Sequence, residues 1–297
     1  TKYGLRFIVF TTFAKLIPLL LLIGFGTGHI SLANLHWKYA LTFNNVGSAS
    51  LLLIFAFCGI ETAVTNSGEF KNPSRTVPLG ILSGLSFVVL LYIAIQLVSQ
   101  GVLGDGLIAV KDAPLAAVSN ILFGSFGTTL VVAGTAVSML GGISGEILAI
   151  PRVLFAGARD GILPKALAKV HPKYVTPHVA IAVYTGLGFL FAVFGVLKQL
   201  LILSTAATLL IYLGVVLATI KLRFKKSGSN EKGFKIPGGI TVPILATVTI
   251  IWLLSHLSKQ EIIGSSIFIV ALAVIYFLMS KFKNKKIQLA TQKKDNL

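Results

Sequence analysis

Three ionisable residues stand inside long apolar runs: Lys15 in FTTFAKLIPLLLLIGFG, Glu61 in FAFCGIE and Glu146 in GGISGEILAIP. An ionised group is costly in hydrocarbon, so such residues face a bundle interior or an aqueous cavity and mark ion or substrate paths. Lys15 lies too far from either end of its run to reach an interface by extending its chain. An ammonium gives up its proton more readily when dehydrated and keeps it beside carbonyl or hydroxyl oxygens. A lysine reached alternately from two sides of a membrane can therefore couple proton movement to transport. Glu61 has three readings: it meets substrate, it caps the amides of a second half-helix, or it joins a structural hydrogen-bond network. Glu146 is open in the same way, since it stands nearer a span end, where water or Arg152 can meet it. Cys58 is either a small packing residue or a ligand contact.

Gly59 adds a backbone argument. Unwound backbone at membrane depth is tolerated where it lines a cavity, and there its carbonyls and amides bind substrate and ions. Phe55 and Phe57, just before the glycine, can lie over such a cavity as a lid. The competing reading is an ordinary glycine at a helix crossing.

Enzyme chemistry has little support. His29, His36, His171, His178 and His256 fall in loops or at span ends and form no HxxxH or HExxH pair, and no Cys or Ser motif supplies an activated nucleophile. The single cysteine excludes an internal disulfide. No Cys/His pair has metal-ligand spacing, so no cofactor is expected. In ARDGILPKALAKVHPKYVTP, proline and glycine punctuate a short helix, with Arg159 and Asp160 in structural roles.

These residues need elements to hold them. Apolar residues make up 55% of the chain and charged residues 12%, with a mean hydropathy of +0.88, which points to a polytopic membrane protein. Segments long enough to cross the hydrocarbon lie near 7–27, 46–65, 79–103, 127–150, 178–197, 199–220, 240–257 and 262–279. They must be helical, because lipid offers backbone groups no partners and alternating barrel strands are absent. The expected fold class is all-α with about eight transmembrane helices.

The net charge of +17 is explained by position. Of the 26 Lys and Arg residues, Lys15 is within a span, Lys38, Lys111, Lys198 and Lys259 fall on one side, and all the others fall on the side of Lys2 and Arg6. The positive-inside rule makes that second side cytoplasmic and puts both ends of the chain there, with some attraction to anionic lipid headgroups. No RNA- or DNA-binding module accompanies the charge, so no nucleic-acid partner is expected. The chain opens on Thr1 and shows no cleavable signal pattern, and the expectation is that it belongs to a longer protein.

The run from Phe55 to Pro78, with its F-A-F-x-G-x-E and E-x-x-N-P-x-R-x-x-P parts, resembles the sixth transmembrane helix and following loop of amino acid permeases of the amino acid-polyamine-organocation superfamily. The stretch SMLGGISGEILAIPRVLFAGARDGILP is similar to the eighth helix of that family and its loop. The likeness runs over the whole chain, with the eight spans matching helices five to twelve. It implies one transmembrane transporter domain over 1–297 with part of a LeuT-type inverted-repeat fold. Residues 1–27 would be the last helix of the first repeat, 46–220 the second five-helix repeat, 240–279 two peripheral helices and 280–297 a basic cytoplasmic tail. The family's glycine-rich first helix, which binds the substrate carboxylate, has no counterpart in the matched region, so the chain is not expected to transport alone.

The resemblance also implies roles. Backbone at Phe55, Ala56 and Phe57 would accept hydrogen bonds from the substrate ammonium, with Phe55 at the aromatic gate position. Cys58, Gly59 and Ile60 would line the side-chain pocket. Lys15 takes the helix-five position whose lysine replaces sodium in proton-coupled members. Ser138 and Gly142 lie one turn apart on the helix that contributes to the same site, where members often carry a second hydroxyl. Lys15, Ser138 and Glu61 form the expected proton-coupling set. The implied function is secondary active transport of neutral amino acids, by proton symport and alternating access, in the cell membrane. Exchange, or transport of cationic amino acids or polyamines, stands as an alternative because of Glu61. A non-transporting membrane subunit or sensor is the reading from another class. Amino acid, protons and the lipid bilayer are the expected partners.

Overall fold

Long apolar segments of this composition can satisfy their backbone groups only within themselves, and the chain does so as helices. The structure is a computed structural model. It describes residues 2–36, 42–61, 64, 70–194, 197–224, 238–270, 273–274 and 276–277, and no strand occurs among them. In chain order the helices are α1 (Lys2–Gly26), α2 (Phe43–Ile54), α3 (Pro73–Leu103), α4 (Gly106–Ala109), α5 (Pro114–Arg159), α6 (His178–Phe194), α7 (Leu197–Phe224) and α8 (Thr241–Leu254). They are followed by α9 (Lys259–Val270), which bends 113° from α8. Short 3-10 turns occupy Thr27–His29, Leu32–Leu35, Phe55–Phe57 and Lys165–Ala168.

Local sequence explains several ends. The Thr42 side chain accepts from Asn45 N–H at 3.3 Å and caps α2. Pro73 opens α3, where its missing N–H costs nothing. At the end of α5, Asp160 N–H bonds Ala156 O at 2.9 Å and Ile162 N–H bonds Gly157 O at 2.8 Å. Gly161 at φ 76° makes the left-handed turn that closes the helix.

The helices form two units. The first joins residues 1–40 with 76–149 and the second joins 41–75 with 150–297. In the first, Leu22, Val98 and Val118 form a buried core. The segment after α1 is tied to the end of α3, where Gly101 O accepts from Ser31 N–H at 3.0 Å and from Asn34 Nδ2 at 2.8 Å. α1 and α5 pack through small residues in antiparallel register. Thr11 lies against Gly141, Pro18 lies 2.7 Å from where a Gly134 Cβ would stand, and Leu148 reaches Gly4. In the second unit, Leu51, Leu209, Ile250 and Leu253 join α2, α7 and α8, while Ala158, Leu167 and Ala180 hold the loop after α5 to α6.

Apolar side chains are otherwise turned outward, with Leu90 and Phe189 each 68% exposed. This is the pattern of a multi-pass membrane protein whose outer faces meet hydrocarbon. Among the described residues, four helices are long and apolar enough to cross a membrane, or five if the bent pair of α8 and α9 is one span. The expected spans differ from these in several places. The 46–65 segment is broken, so its helical part, Phe43–Phe57, is short, as is His178–Phe194. The 127–150 segment belongs to a helix extending from Pro114 to Arg159, in which Gly124 (φ 65°, ψ −153°) separates a short leading arm and Pro151 lies within the helix. The 262–279 span is described in part. The tail 280–297 and positions 65–69 of the loop motif lie outside the described residues.

Candidate functional site

The stretch from Phe55 to Glu61 is a break in a helix. The α-helical ladder of α2 stops at Ile54, and Phe55–Phe57 form a single 3-10 turn. Cys58 follows in extended conformation (φ −65°, ψ 150°). Gly59 then takes φ 101°, a region that residues with a Cβ avoid. Cys58 N–H closes the turn on Phe55 O at 3.1 Å, and the Cys58 thiol donates to Ile54 O at 3.5 Å. A carbonyl has two lone pairs, so Phe55 O retains acceptor capacity after this bond. Phe55 is 40% exposed, Ala56 is exposed, and Phe57, Cys58 and Ile60 are half-buried.

Glu61 closes the break on itself. Both of its carboxylate oxygens accept from Gly59 N–H, at 3.1 and 3.0 Å. Oε2 also accepts the Tyr212 hydroxyl at 2.7 Å. Its own carbonyl accepts from Val64 N–H at 3.0 Å. The carboxylate thus ties the unwound backbone to α7, 151 positions away in sequence. Thr208, one turn before Tyr212 on the same face of α7, lies beside the Cys58 side chain. The sequence reading missed Tyr212 and Thr208; a Thr and a Tyr four residues apart within an apolar span was the available signal.

This geometry gives a direct prediction. Hydrogen bonds to charged groups are worth roughly 1.5–3 kcal/mol net, so Tyr212→Phe should weaken the clamp by about 1–2 kcal/mol at this half-exposed position. Faster amide exchange at Gly59 and nearby residues, with the exchange of α5 unchanged, is the expected readout. Unchanged exchange at Gly59 would show that Tyr212 does not hold the break.

Lys15 and Ser138 lie in the other unit, on α1 and α5. Thr11, Lys15 and Pro18 fall on one stripe of α1, and Gly134, Ser138 and Gly141 fall on one stripe of α5. Thr11 meets Gly141 and Pro18 meets Gly134, so Lys15 and Ser138 fall at the same level of paired, facing stripes. Both are half-buried. Gly142, one turn beyond Ser138, is exposed, with nothing within 4 Å of where a Cβ would stand. Glu146 is exposed further along α5. Among the described residues no three of His, Cys, Asp and Glu come together in a group able to hold a metal ion.

The amino acid permease family profile matches residues 1–280. A branched-chain amino acid permease of Bacillus subtilis is 29% identical over 271 residues, covering 91% of this chain and 58% of the relative. A serine/threonine exchanger of the same organism is 31% identical over 253 residues, covering 83% and 57%. A cadaverine/lysine antiporter of Escherichia coli is 30% identical over 147 residues, covering 46% and 33%. The chain spans somewhat over half the length of the first two. The match to a family of transporters, rather than enzymes, runs through the helix break, the Lys15 helix and the ARDG loop alike, and the chain belongs to the amino acid permease family.

Proposed function

We propose that the protein carrying this chain is a secondary active transporter of neutral amino acids, driven by proton symport through alternating access at a midplane site. The observation that carries the reading is the break at Phe55–Glu61, where an extended Cys58 and a left-handed Gly59 interrupt the helix within an apolar run. Backbone of this kind is tolerated in a membrane where it lines a cavity. Phe55, Ala56 and Phe57 offer carbonyls to a substrate ammonium, Phe55 gates the site, and Cys58, Gly59 and Ile60 line the side-chain pocket. Glu61 is already engaged by Gly59 N–H and the Tyr212 hydroxyl, which favours a neutral substrate over a cationic one. Lys15, faced by the stripe that carries Ser138, is the proton-coupling group. The skew of basic residues toward the side of Lys2 and Arg6 supports cytoplasmic ends in a cell membrane.

Proteoliposomes bearing the protein expressed from its whole reading frame test this reading. Lys15→Ala should lose accumulation driven by an inward proton gradient while keeping exchange of internal for external amino acid. Concentrative uptake that survives the substitution would remove Lys15 from coupling. Exchange is the second reading, favoured by the exchanger and the antiporter among the relatives. It predicts uptake that needs internal amino acid and ignores the pH gradient.

A further inference from the structure

The turn between α8 and α9 holds a cavity that the transport reading does not use. About 500 Å³ lies between Ile202 and Leu203 of α7 and the face of α9 that carries Glu261, Gly264 and Ser265, with Ser258 and Gln260 completing the lining. Glu261 and Ser265 are four residues apart and share that face.

Each of the three α9 residues leaves something unspent. Glu261 closes a capping box: Ser258 N–H donates to its Oε2 at 2.7 Å, and Glu261 N–H donates to Ser258 Oγ at 3.3 Å. A glutamine closes the same box, so the helix start accounts for the side chain but not for its full charge, and Oε1 remains for the cavity. The carboxylate meets no cation among the described residues. The Ser265 hydroxyl is buried, with its residue 8% exposed, and has no hydrogen-bond partner. Such a group costs free energy unless something pairs with it. Gly264 has nothing within 4 Å of where a Cβ would stand, so the cavity wall is open there.

A carboxylate oxygen and a buried hydroxyl on one side of a small cavity suit a compact cation with several N–H donors, and a primary ammonium has three. The surroundings say what carries it. Ile263 and Ile267 of α9 are 58% and 65% exposed, and in a membrane protein such faces meet acyl chains. We propose that this cavity binds the primary ammonium of an aminophospholipid head group, held by Glu261 and Ser265, with the acyl chains along the outer face of α9. A choline head group, bulkier and without N–H donors, would not satisfy either residue.

The test is thermal unfolding of the delipidated full-length protein in detergent, titrated with phosphatidylethanolamine, with phosphatidylcholine of the same chains, or with free ethanolamine. Phosphatidylethanolamine should stabilise at about tenfold lower concentration than phosphatidylcholine, the scale of one charge-assisted bond. Glu261→Gln, which keeps the capping box, should erase that preference without changing unfolding in the absence of lipid. Gly264→Phe, which fills the cavity, should erase it too, and decides the matter alone if Glu261→Gln does not fold. Equal stabilisation by the two lipids, or a preference that survives the variants, overturns the proposal. Stabilisation by free ethanolamine that matches the lipid overturns the assignment to a lipid.

Discussion

A Gly59→Val variant should insert and fold yet lose about tenfold or more in amino acid affinity, since left-handed backbone costs an L-residue roughly 1–2 kcal/mol and a β-branched one the most. The loss would be torsional, because nothing lies within 4 Å of where a Cβ would stand. The chain would relieve the strain by bringing φ to a negative value. That rotation carries the Gly59 N–H off the Glu61 carboxylate, which at present receives it on both oxygens. The carboxylate would then hold Tyr212 without holding the break. Gly59→Ala should show a smaller effect of the same sign. Ligand-dependent thermal shift on the purified protein measures both variants, and unchanged affinity in Gly59→Val would exclude the break from substrate binding.

The second large effect is expected at the α1 and α5 pairing. A side chain at Gly141 would overlap the Thr11 hydroxyl and Cβ, and overpacking of a tight contact costs about 1–3 kcal/mol. Gly141→Leu should therefore lower the melting temperature and the monodisperse yield. Gly142→Leu, one residue on and open to its surroundings, should stay within about 0.5 kcal/mol of the parent. Thr11→Ala in the Gly141→Leu background should recover part of the loss, as coupled neighbours do. If both leucine variants behave alike, the glycine contact is not what sets this pairing.

Whether a feature is legible in the sequence depends on how far apart its causes stand along the chain. The break at Gly59 was legible because its cause is local: a glycine following apolar and aromatic residues in a span, then a carboxylate. The role of Glu61 was not, because its partner Tyr212 stands 151 positions away and no spacing rule links them. Lys15 could be recognised as a charge within a span. Its level with Ser138 required knowing that Thr11 meets Gly141 and Pro18 meets Gly134, which is a property of two helices together. Span limits failed where hydropathy and helix part company. Arg152 ends the apolar run but not the helix, which carries a buried Pro151 within it and runs on to Arg159. Upstream, Gly124 turns the chain and leaves Pro114 to Phe123 as an arm whose Val118 is buried.

The register between α1 and α5 constrains how this protein can change in length. Each residue added to a helix turns everything beyond it by about 100°. One insertion between Thr11 and Lys15 would leave Thr11 on Gly141 and swing the ammonium off the stripe that faces Ser138. One insertion between Gly134 and Ser138 would move the hydroxyl in the same way. Gains and losses of sequence can therefore accumulate freely in the connections, while residues 4–18 and 134–148 must vary by substitution alone.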